Sequence, residues 1–220
     1  MDIKHYFLML EVLAFAAGLL AFMKMRHIHL RSLVVLLGIT ILNEWLMVPW
    51  ATETKFLPRM AIYNLFSLLE MWVWFFLFYK TASSFNKRTI LIVACMGFAA
   101  AMVEMLLSPL AHFRVYSFRL YNLLMIFLAV GYYLYIQRKE YYNIFTEPVF
   151  FIVSAAFIYH LLLFVNATTF VDNSYWKIPN SYSIFKVLHG IGNSFYYFSL
   201  CAAFLMFLFQ RNPQPSWQPR

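Results

Sequence analysis

Charge is scarce in this chain. Asp, Glu, Lys and Arg make up only 12% of its 220 residues, while 63% are hydrophobic. A soluble domain carries about a quarter charged and about half apolar residues. No soluble core of this size can hide so much apolar surface, so it has to face lipid. Cysteine is sparser still. Cys95 and Cys201 both fall inside apolar runs, and no C-x-x-C occurs. A disulfide framework is therefore excluded, and the two thiols read as small apolar side chains. Glycine and proline are rare inside the runs, which leaves no broken mid-membrane helices of the transporter type. Catalytic signatures are lacking as well: there is no G-x-S-x-G, no P-loop and no Rossmann fingerprint. Gly190-Ile-Gly192 lies within an apolar run and reads as packing.

What the chain does have is long apolar runs. Seven are near the roughly 20 residues that a helix needs to cross the hydrocarbon core: Tyr6–Met23, Ser32–Pro49, Met60–Tyr79, Thr89–Leu107, Phe118–Ile136, Val149–Val165 and Ile184–Phe209. They show no alternation, so strands are excluded. Pro58 precedes the third run, Ser108-Pro109 ends the fourth, and Glu147-Pro148 opens the sixth with proline in the first turn. The first run is followed by Lys24, Arg26 and Arg31. That flank marks a stop-transfer anchor instead of a cleavable signal. The expected fold is all-α: a polytopic seven-transmembrane-helix bundle over residues 1–210, with a disordered proline-rich tail at 211–220.

The formal charge of +8 is spread among short loops. Such a spread sets topology and meets anionic lipid; it is not a nucleic-acid patch. With seven spans and the N-terminus outside, the cytoplasmic segments hold ten cations: Lys24, Arg26, Arg31, Lys80, Lys87, Arg88, Arg138, Lys139, Arg211 and Arg220. The outer segments hold seven: Lys4, Lys55, Arg59, Arg114, Arg119, Lys177 and Lys186. The bias favours a cytoplasmic C-terminus. Tyr and Trp gather at run ends, as an interfacial belt requires.

Ionisable groups inside a span are expensive, and each is a candidate functional group. Glu11, Glu44, Glu70, Glu104, His160 and His189 lie in the runs. With this topology all but Glu70 fall in the outer half, where Asn43, Asn64, Asn122 and Arg119 share their level. Glu70 is close to mid-membrane. Lys186, His189, Asn193 and Tyr196/Tyr197 recur at helical spacing and so share a face of the last helix. Gly190 and Ser194 beside them allow a neighbouring helix close. The inner half offers little beyond Ser154, Ser199 and the cysteines. The expected picture is an outward-opening polar pocket over a dry inner half, formed by Glu11, Glu44, Asn64, Glu70, Glu104, Asn122, His160, Lys186, His189 and Asn193.

Three readings fit this cluster. The polar groups pair across helices and fix the packing, or they bind an external small molecule, ion or lipid headgroup, or they form a metal-dependent or acid/base site. His and Glu are suitable zinc ligands, and His160 and His189 stand at one depth, which also admits haem between them. No helix carries two histidines at four-residue spacing, however, so a metal site has to be gathered from separate helices. Lys186 sits at a helix mouth and no aspartate lies in any span, which removes support for a retinal lysine.

Asn43-Glu44, then Tyr63-Asn64-Leu65-Phe66-Ser67-Leu68-Leu69-Glu70, then Glu147-Pro148-Val149-Phe150-Phe151 together carry a resemblance. The chain resembles a widespread group of bacterial seven-helix inner-membrane proteins of about this length that has no agreed activity. The resemblance implies fold and a bacterial inner-membrane location, and carries over no functional residue. The sequence points to a small sensory or ligand-binding membrane protein that acts through a membrane or cytoplasmic partner. No cofactor is called for unless the zinc or haem reading holds. A metal-dependent intramembrane hydrolase and a structural subunit of a membrane complex are the alternatives.

Overall fold

The computed structural model describes residues 3–55, 57–81, 87–109, 112, 114–137, 147–170 and 181–209, without the side chains of 3–5, 169–170 and 181–186. The proline-rich tail and the Lys186 side chain lie outside that set. The described residues are helical, with no strand among them. The helices are α1 (Ile3–Phe22), α2 (Ile28–Thr54), α3 (Arg59–Thr81), α4 (Lys87–Leu107), α5 (Val115–Gln137), α6 (Pro148–Phe170) and α7 (Ser181–Phe209). Six of them, α2 to α7, are long and apolar enough to cross a membrane; the apolar part of α1, Tyr6–Phe22, is shorter. A helix is the form such a run takes in lipid, because every backbone N–H and C=O is then satisfied within the segment.

Neighbours in sequence pack side by side, and α1 packs on α7 to close a ring. Contacts fix the directions. Along α1 and α7, Phe7 meets Gly190, Glu11 meets Tyr197 and Gly18 lies against Phe204, so these two helices run parallel. Along α2 and α3, Glu44 pairs with Tyr63 while His29 meets Phe76, so these run antiparallel. Asn122–His160 and Tyr133–Ser154 make α5 and α6 antiparallel too. The chain thus weaves up and down.

The interior is not uniform. One end is filled by Leu33, Val34, Leu77, Phe78, Met125, Leu128, Ile152, Val153, Leu200 and Phe204, all buried. Leu19, Leu20, Val35, Ile92, Met96, Phe127 and Phe198 face outward, where lipid replaces the missing neighbours.

Helix α2 departs from expectation. The apolar run predicts an end at Pro49, yet the helix continues to Thr54. A proline within a helix clashes with the carbonyl four residues back and has no N–H to offer. Here Asn43–Met47 form a π turn just before it, with the Val48 N–H bonded to the Asn43 carbonyl. The wider turn accommodates the proline, and such turns are frequent at functional sites. Lys55, with a left-handed φ of 54°, then terminates the helix.

A candidate ligand cavity at one end of the bundle

Residues of α1, α2, α3, α5, α6 and α7 surround a cavity of about 480 Å³. It lies toward the end that carries the α2–α3 and α4–α5 connections. Its lining includes Glu11, Glu44, Asn64, Glu70, His189 and Asn193 among the sequence-predicted residues. The size is within the range of small-molecule sites.

Each wall has a local cause. On α3, Arg59, Tyr63, Asn64, Ser67 and Glu70 recur at three- and four-residue spacing and form one polar face. The Arg59 guanidinium donates to the Tyr63 hydroxyl at 3.1 Å, and that hydroxyl donates to Glu44 Oε2 at 3.2 Å. The π turn presents Glu44 toward this chain. On the opposite wall the Tyr197 hydroxyl donates to Glu11 Oε1 at 3.0 Å. One turn before Tyr197, Asn193 Nδ2 and His189 Nε2 stand 3.1 Å apart, which makes Nε2 the acceptor.

The rim is clamped by the α4–α5 connection. Asn64 Nδ2 donates to the His112 carbonyl at 2.9 Å, and Arg114 donates to the Asn64 carbonyl and the Ser67 hydroxyl. Burial pushes the Arg114 guanidinium below the usual arginine range, and the nearby Glu104 carboxylate draws it back up. Its Nε and Nη1 are shut off from solvent with no hydrogen-bond partner.

Glu70 differs from the other acids. Its carboxylate lines the cavity and makes no hydrogen bond or ion pair among the described residues. Tyr121 and Tyr159 line the same cavity.

Beneath the cavity is an aromatic plug. Trp74, Tyr121 and Tyr196 are buried around His160, which has no exposed surface. The Tyr121 ring meets the imidazole edge-on at 5.1 Å, Trp74 does so at 6.1 Å, and Tyr159 stacks on Tyr196 at 4.7 Å. Asn122 Nδ2 donates to the Phe118 carbonyl, which turns its Oδ1 toward His160 Nδ1 at 2.7 Å. His160 therefore donates from Nδ1 and keeps a bare Nε2. Among the described residues that atom has no partner, nor does the Tyr121 hydroxyl.

Several predicted residues are thus placed elsewhere. Glu104 does not line the cavity. Its oxygens accept from the Tyr116 and Ser117 N–H groups at 3.2 and 2.7 Å and cap the start of α5. Asn122 and His160 form the buried pair below the cavity and do not line it. His160 and His189 are not gathered into one donor set: among the described residues no group of three His, Cys, Asp or Glu side chains is placed to hold a metal. Lys186 lies outside the described side chains.

The sequence reading missed Arg59, Tyr63, Arg114, Tyr121 and Tyr159 as wall residues. The α3 spacing was a signal for the first two; nothing local marked the rest. No protein-family model, curated protein or solved structure matches the chain.

Proposed function

We propose that the chain is a seven-span protein of the bacterial inner membrane that binds a small polar ligand from the outer side and passes its occupancy to a partner. The N-terminus is outside and the C-terminus in the cytoplasm, following the Lys and Arg bias. The observation that carries the binding role is the cavity itself: polar and charged at its walls, and sealed underneath by Trp74, Tyr121, His160 and Tyr196. A transport path needs polar groups continuing to the far side. Below the plug stand Leu77, Phe78, Met125, Leu200 and Phe204 instead. The seventh span is supported by α1, which contacts α7 at three successive levels and runs parallel to it. Its 20 residues reach about 30 Å at 1.5 Å per residue, close to the thickness of a hydrocarbon core.

A thermal-shift screen of detergent-purified protein against small polar compounds tests binding. A concentration-dependent rise in melting temperature, lost in cavity variants, is the expected result. No shift across the screen removes the ligand reading and leaves packing as the role of these groups. Reporter fusions after residues 55 and 82 test orientation: periplasmic activity at the first and cytoplasmic at the second are expected.

A further inference from the structure

Glu70 is a cavity-lining carboxylate that makes no hydrogen bond or ion pair among the described residues. Other charged groups of the cavity are engaged. Glu44 accepts from Tyr63, Glu11 accepts from Tyr197, and Arg59 donates to Tyr63. Arg114 is turned to the Asn64 carbonyl and Ser67, and its two remaining nitrogens have no accessible surface through which to meet a ligand. A partly buried carboxylate that faces the cavity without a partner is costly, and a cation that enters the cavity relieves that cost. The Tyr121 and Tyr159 rings line the same cavity and favour the same visitor, because an aromatic face attracts positive charge. Three acids, Glu11, Glu44 and Glu70, line the cavity against two arginines, Arg59 and Arg114.

We propose, resting on the reading of this cavity as a ligand site, that its ligand is a small organic cation whose charged nitrogen sits against Glu70 between the Tyr121 and Tyr159 rings. The cation is organic and not a bare metal ion for two reasons. A hard metal ion needs several oxygen ligands at once, and no three acidic, His or Cys groups converge among the described residues. Tyr121 and Tyr159 line the cavity with Glu70, and a cavity of about 480 Å³ has room for an alkylammonium body.

The test uses the full chain in detergent with four probes at millimolar concentration and matched ionic strength: choline, n-butylammonium, glycine betaine and butyrate. Melting temperature and calorimetric binding are both read. Choline or n-butylammonium is expected to bind and stabilise, glycine betaine to bind more weakly, and butyrate not at all. In Glu70→Gln the cation affinity is expected to fall by about tenfold or more, as loss of a charge-assisted contact implies, while the unliganded protein stays folded or melts higher. Glu70→Asp keeps the charge but draws it back, and an intermediate affinity is expected; it serves as the readout if the Gln variant does not purify. Cation binding that is unchanged in both variants overturns the assignment to Glu70. Binding of butyrate in preference to the cations overturns the cation class but leaves the ligand site standing. No binding of any probe overturns this inference, and if the wider compound screen is also silent the ligand-site reading falls with it.

Discussion

The Tyr197 hydroxyl reaches across 186 positions of sequence to donate a 3.0 Å hydrogen bond to Glu11 Oε1. It ties the last helix to the first at the cavity wall. Both side chains are largely buried, so removing the donor takes away the hydroxyl from which the acid accepts at the cavity wall. Tyr197→Phe is expected to lower stability by about 1–3 kcal/mol, read by SDS- or heat-induced unfolding. Glu11→Gln can still accept and is expected to cost less. In a double-mutant cycle the two substitutions are expected to be non-additive; additive losses sink the pairing.

The Asn122–His160 pair makes a different kind of claim. Asn122 is held by the Phe118 carbonyl and in turn orients His160. His160→Ala removes a fully buried ring and orphans Asn122 Oδ1, which together are expected to cost about 3 kcal/mol. Because His160 does not line the cavity, binding of any cavity ligand is expected to survive at a temperature where the variant is folded. A variant of native stability with binding abolished shows instead that the imidazole touches the ligand.

This pair shows where the sequence was legible and where it was not. Placing an ionisable residue in an apolar run is visible in one dimension, and the run predicts its depth. That was enough to bring Glu11, Glu44, Glu70, His189 and Asn193 to one end. Which way a side chain turns is decided by helix rotation, and the helices other than α3 and α7 are apolar almost all round, so periodicity says little about their rotation. Asn122 and His160 therefore turned inward below the cavity, and Glu104 turned to a neighbouring helix end. Tyr121 and Tyr159 could not be told from ordinary core aromatics. Helix ends ran past the apolar runs at α2 and α6; at α2 the physical reason is that Pro49 reads as a terminator, and the π turn before it lets the helix continue.

Glu104 is expected to behave as a helix cap that also faces Arg114, and not as a ligand contact. Both carboxylate oxygens are spent on backbone N–H groups at the start of α5. Glu104→Ala is expected to destabilise by about 1–2 kcal/mol, with Glu104→Gln milder because one acceptor remains. Ligand affinity at the cavity is expected to stay within about twofold, since that is a small fraction of the roughly 1.4 kcal/mol that marks a tenfold change. A large loss of affinity in the Gln variant at unchanged stability returns Glu104 to the binding wall.

Cys95 offers a direct check on which surface meets lipid. It is exposed on α4, eight residues into a helix that begins at Lys87, about 12 Å along its axis at 1.5 Å per residue. In a Cys201→Ser background, a membrane-impermeant maleimide is expected to leave Cys95 unlabelled in intact membranes. A lipophilic maleimide, or the impermeant reagent after SDS, is expected to label it. Ready labelling by the impermeant reagent in native membranes shows that this face of α4 meets water.

Gly18 tests whether α1 is a full member of the ring. A Cβ at this position meets Val34 Cγ2 at 3.0 Å and both Val34 Cγ1 and the Phe204 ring at 3.2 Å. Those neighbours belong to α2 and α7, so the missing side chain is what lets three helices close together in the dry half. Both neighbours are buried and have little room to retreat. Gly18→Ala forces a few tenths of an ångström of adjustment and is expected to cost about 1 kcal/mol, while Gly18→Leu overpacks the junction and is expected to cost about 3 kcal/mol. If α1 is instead loosely attached, both variants unfold like the native chain, because the helix moves aside without strain. The graded loss, Leu worse than Ala, is the result that α1 packed between α2 and α7 requires.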